Sequence, residues 1–179
     1  MKSKRILLIL LPLIISTSLI YLSLNEEIWK IFWDSLNIPY QIPPFSDLES
    51  ISRALNGKFD GHNPYYINPY DISQKPYSYT SIWLVIFDIF ELNDPFRFKI
   101  LNFLLIYLYV FALIYLGLKI ESKIYFIFLL LWFFSTSNLL LLERLNIEIL
   151  IVILIFFISF IKNDYLKIPI FFTAIFLKL

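Results

Sequence analysis

Two short stretches of this chain hold residue types that could do chemistry. The first is PPFSDLES (43–50), with the lone acid Asp47, and the second, much later, is ERLNIE (143–148), with Glu143, Arg144, Asn146 and Glu148. A carboxylate at a water–lipid boundary can take the proton of an acceptor hydroxyl, a role worth about 10² to 10⁴ in rate. An arginine can hold a phosphate through two parallel N–H bonds. Together they suit transfer of a group from a lipid-linked phosphate to an alcohol. Between the two stretches run GHNPYYINPYD and KPYSYT, whose Tyr65, Tyr66, Tyr70, Tyr77 and Tyr79 could pack on a sugar face or belong to an interfacial aromatic belt.

The elements that must position these residues are apolar. The 179 residues are 59% hydrophobic and 20% aromatic, with a mean hydropathy of +0.74, far above soluble-domain usage. The composition is that of a membrane protein. With no cysteine, neither a disulfide framework nor a thiolate metal site is available. The net charge of +1 comes from scattered cations that form no basic stripe, so nucleic acid is not an expected partner.

Apolar runs at 6–22, 98–118, 124–142 and 147–161 read as membrane spans, and 168–179 as a span cut off by the chain end. The sequence is expected to be the N-terminal part of a longer protein. Lys2, Lys4 and Arg5 precede the first run without an Ala-x-Ala cleavage site after it, which reads as an uncleaved anchor with a cytoplasmic N-terminus. The run Tyr79 to Leu92 decides the topology. Were it to cross, Asp88 would cost about 2.5 to 3.5 kcal/mol in the bilayer, and the Lys119/Lys123 and Lys162/Lys167 loops would lie outside. The positive-inside rule favours a surface position instead. Residues 23–97 then form one long extracytoplasmic loop, with 143–148 facing it. The expected fold is all-α, a polytopic membrane helix bundle whose first outer loop carries short surface helices, in a multi-pass cell-membrane protein.

FSDLESISRAL places Leu48, Ile51 and Leu55 on one helical face, with Asp47 near the N-cap and Gly57 as a stop signal. Plainer readings stand beside the chemical ones. Asp47 could cap that helix, Arg144 could snorkel to headgroups, and Glu143 or Glu148 could pair with Arg144. Gly57 and Gly61 read as turn residues, and Asp71 as an Asx-type turn. His62 is the only histidine, so a His-rich metal site is excluded. Asp47 and Glu148 could share a divalent cation through oxygen ligands, although no cofactor is expected. Lys178, in the last run, could touch a lipid phosphate.

PFSDL, LNGKFDGHNPYYINPYD, KPYSYTSIWL, ERLNIE and AIFLKL together resemble the GT-C superfamily of polytopic membrane glycosyltransferases, most of all the bacterial polyprenyl-phosphate-mannose-dependent, mannosyltransferase-like group. The resemblance covers most of the chain. It implies a sugar donor linked to polyprenyl phosphate and a lipid or glycan acceptor. Asp47 falls on the family's catalytic acid, and Tyr77 to Thr80 on its tyrosine-proline stretch. Arg144, Leu145, Asn146, Ile147 and Glu148 fall on its Arg-Gly-Asn-x-acid stretch. The implied substrate-binding residues are Arg144, Asn146, Glu148, Tyr77, Tyr79 and Lys178. Thr80 departs from the family's Pro, and Leu145 from its Gly, where a larger side chain could reshape the site.

The expected function is therefore sugar transfer from a polyprenyl-phosphate donor to a hydroxyl outside the cytoplasm. The alternatives are a transporter or scaffold subunit, whose ionisable groups would sit at the midplane of the spans, or an inactive truncated remnant.

Overall fold

The computed structural model describes residues 2–71, 75–119 and 122–176. Among these the regular structure is entirely helical: α1 Lys2–Ser23, α2 Glu26–Ser35, α3 Ser46–Phe59, α4 Ser81–Ile89, α5 Pro95–Lys119, α6 Lys123–Phe133, α7 Thr136–Arg144, α8 Glu148–Ile158 and α9 Asp164–Phe176. One helix, α5, is long and apolar enough to cross a membrane. Its 25 residues extend over roughly 37 Å at 1.5 Å per residue.

α1 packs along α5, and α8 packs on α5 and α9. Leu11 and Ile15 of α1 share a groove with Leu113, Ile114 and Gly117 of α5. The early part of α1 thus lies beside the late part of α5, as in an antiparallel pair. The described residues between the end of α1 and the start of α5 therefore gather at one end of that pair.

The run 124–142 is not one straight helix. α6 and α7 meet at a 49° bend, and together they would be long and apolar enough to span. The bend has a local cause in STS (135–137). Ser135 Oγ donates to the Trp132 carbonyl (2.7 Å) and accepts from the Asn138 amide (3.3 Å), ending one helix and capping the next. The run 147–161 is likewise helical only as far as Ile158.

The segment from α2 to α3 is built on aromatic anchors. Asn25 caps α2 by accepting from the Glu27 and Ile28 amides, which directs Trp29 and Trp33 inward, both fully buried. Trp29 meets Phe45 edge to face at 5.1 Å. Side chains of this size contribute about 1.5 to 3 kcal/mol each when withdrawn from water. α3 buries Leu48, Ile51, Ala54 and Leu55 against α4 and turns Ser46, Glu49, Ser50 and Arg53 outward.

Gly57 does not stop α3. The helix runs on to Phe59, and the turn is made by Gly61, at φ +84°. Gly57 is a packing residue: a Cβ there would lie 3.5 Å from Asn68 Oδ1. The Asp71 carboxylate accepts from the Lys75 amide, four residues on, at 3.1 Å.

Candidate functional site

Asp47 sits in the first turn of α3, where an unpaired helical N–H field favours an anion. It is not the cap. The N-cap is Phe45, in the left-handed region (φ 61°) with no side-chain capping bond. The Asp47 carboxylate turns instead to the other chemical stretch. Its Oδ2 accepts from Asn146 Nδ2 at 2.8 Å, and Asn146 Oδ1 accepts from the Glu148 amide at 3.1 Å. One amide thus ties the acid of α3 to the start of α8.

Charge completes the group. Burial raises the Asp47 carboxyl above its ordinary value, the Arg144 guanidinium and the Asn146 bond pull it back, and Glu148 raises it further. Tyr79 belongs to the same neighbourhood. Its phenol is pushed up to about 12, first by burial and then by the charges of Asp47 and Glu148. Tyr77 stands 5.8 Å from Tyr79 between ring centroids and is buried, with its hydroxyl donating to the Thr80 carbonyl. Asp47, Arg144, Asn146, Glu148, Tyr77 and Tyr79 are therefore brought together. Lys178 lies outside the described residues.

The lateral support comes from Glu143, which the sequence offered as a possible ion-pair partner of Arg144 and not as a clamp. Glu143 is fully buried at the end of α7. Its Oε1 accepts from the Gln41 amide at 2.7 Å and from the Trp29 indole at 3.4 Å. Its carbonyl accepts from the Phe45 amide at 3.3 Å, and Oε2 lies 3.8 Å from Arg144 Nε. Glu143 thereby clamps both α2 and the segment entering α3 beside Arg144. No local signal marks such a residue, because its partners are remote in sequence.

Leu145 and Thr80 are the two positions at which the sequence departs from the pattern it resembles. Leu145 has φ 49° and ψ 53°, the left-handed conformation that suits glycine. Its side chain is fully buried in the apolar core and lines neither cavity described next. Thr80 has φ −65°, within the range a proline ring imposes.

Two cavities meet at the Asp47–Asn146 pair. Asp47 lines a polar one of about 640 Å³ between the outward face of α3 and residues 75–79. Asn146 lines an apolar one of about 420 Å³ walled by Trp83, Phe87, Leu105 and Ile147. His62 is exposed and lines neither. Among the described residues no three His, Cys, Asp or Glu side chains gather as a metal site would require.

In comparisons with family models, curated proteins and solved structures, nothing matches the chain.

Proposed function

We propose that the protein is a multi-pass cell-membrane glycosyltransferase of the GT-C type, moving a sugar from a polyprenyl-phosphate donor to an acceptor hydroxyl on the extracytoplasmic side. The observation that carries this reading is the hydrogen bond between Asp47 and Asn146. It joins the two stretches singled out for base and phosphate chemistry, with Arg144 acting on the same carboxylate. The glycine-type backbone at Leu145 supports the resemblance at one of the two positions where the side chains depart from it.

In the proposed step the acceptor oxygen attacks the anomeric carbon as its proton passes to the Asp47 carboxylate. The bond from that carbon to the phosphate oxygen breaks, and its electron pair leaves with the polyprenyl phosphate, held by Arg144. The anomeric centre inverts. The bundle reading assigns α1, α5, the bent α6–α7 pair, α8 and α9 to the membrane, with the N-terminus cytoplasmic.

The test is Asp47→Asn, assayed with a polyprenyl-phosphate-linked mannose at matched protein level. Asn retains an oxygen that can accept from Asn146 but cannot take a proton near neutral pH. Transfer should fall by roughly 10² or more, and a near-normal rate would overturn the assignment.

A further inference from the structure

We propose that the polar cavity beside Asp47 is the acceptor subsite and takes an uncharged, hydroxyl-rich carbohydrate, in preference to a phosphorylated or lipid acceptor; the acceptor role rests on the glycosyltransferase reading above. Its volume, about 640 Å³, is that of a small-ligand site.

Charge narrows the ligand. The lining carries three acids, Asp47, Glu49 and Asp71, against two cations, Arg53 and Lys75. Arg53 and Glu49 pair with each other, Nη2 to Oε1 at 3.0 Å, and Nη1 binds the Tyr70 carbonyl at 3.0 Å, so that pair cancels and the remaining lining charges are Asp47 and Asp71 against Lys75. A phosphate entering here would meet more negative than positive charge, whereas hydroxyls would find carboxylate acceptors around them. Uncharged polar side chains suited to hydroxyls line the same space, among them Gln41, Ser46, Ser50 and Ser78. Tyr77 and Tyr79 supply aromatic wall beside Asp47. The neighbouring apolar cavity, across the Asp47–Asn146 pair, is where a hydrocarbon chain would partition, leaving the polar one to the sugar.

The experiment is saturation-transfer NMR on the intact chain in nanodiscs. The probes are the methyl glycosides of mannose, glucose and galactose, with mannose 6-phosphate and dioleoylglycerol as the charged and lipid comparisons. At least one neutral glycoside should bind, at least ten-fold more tightly than the sugar phosphate, and dioleoylglycerol should not displace it. Ser50→Trp, which fills the cavity from α3, should abolish the signal. Equal or tighter binding of the phosphate, displacement by the lipid, no neutral binding at all, or unchanged binding in correctly inserted Ser50→Trp would overturn the proposal. The comparison of neutral with phosphorylated sugar uses the unmodified chain and so does not depend on the variant folding. Selective neutral binding without transfer from a polyprenyl-phosphate donor would sink the enzyme reading and keep the carbohydrate site. Transfer onto a lipid or sugar phosphate with no neutral binding would do the reverse.

Discussion

Asp47 is held between burial, which raises its carboxyl above the ordinary value of 3.8, and the Arg144 charge and Asn146 bond, which lower it. If it is the base, the rate should rise with pH through this raised value. Arg144→Gln removes the strongest lowering influence and should move that rising limb to higher pH. Glu148→Gln removes a raising one and should move it lower. A pH–rate profile that stays put in both variants would count against Asp47 as the titrating group. The same shift fixes the sign of a stability effect. A carboxyl whose folded value is raised binds its proton more tightly when folded, so its contribution to stability falls as pH climbs from 3.8 through the folded value. Asp47→Asn should thus be at least as stable as the parent at neutral pH, as thermal unfolding in detergent can check. The effect of replacing Glu143 is set by the partners it holds. Glu143→Ala strands the Gln41 amide, the Trp29 indole and the Arg144 guanidinium, and should cost about 3 to 5 kcal/mol. Glu143→Gln, which keeps an accepting oxygen, should cost clearly less.

The turn between α7 and α8 shows how an element is stabilised despite a poor local choice. A left-handed residue other than glycine costs about 1 to 2 kcal/mol, yet Leu145 is fully buried and its side chain fills core. Emptying a leucine site costs about 2 to 5 kcal/mol. Leu145→Gly should therefore be destabilising on balance, although it restores the residue type the backbone prefers, and a more stable variant would show the core contact to be worth little. Legibility in the sequence follows the same division between local and remote causes. The apolar run under α5 was legible because nothing interrupts it. The bend after Phe134 was not, because STS differs from its surroundings only by small hydroxyls whose effect depends on which carbonyl they reach. Leu48, Ile51 and Leu55 announced the buried face of α3 by their spacing, but Gly57 looked like the end of a helix that continues to Phe59. Asp47 and ERLNIE could be picked out as chemical groups. That they meet through Asn146 could not be read from either stretch alone, and the clamp at Glu143 left no periodic trace.

For the whole molecule, the proposed topology places residues 23–97 outside and the Lys119–Lys123 segment inside. The absence of cysteine makes a clean background for labelling. Cysteine placed at the exposed His62 position should react with an impermeant thiol reagent added to whole cells, and cysteine at Ser122 should not; reaction at both positions would mean that Tyr79 to Leu92 crosses the bilayer and would take the two chemical stretches apart. The bonds from Glu143 and Asn146 also set a timetable. Gln41 and Asp47 wait for partners 102 and 99 residues downstream. At synthesis rates of about 5 to 20 residues per second, that is a delay of roughly 5 to 20 s after each has been made. During that interval Trp29 has no carboxylate to bind and α3 has no α7 to rest on, so in the proposed topology the segment would cross the membrane unfinished. Ribosome-stalled chains ending before Glu143 should be cut readily by protease between α2 and α3, and chains long enough to expose Glu148 should resist. In that topology the candidate site is completed from its far end, after most of its residues are already outside.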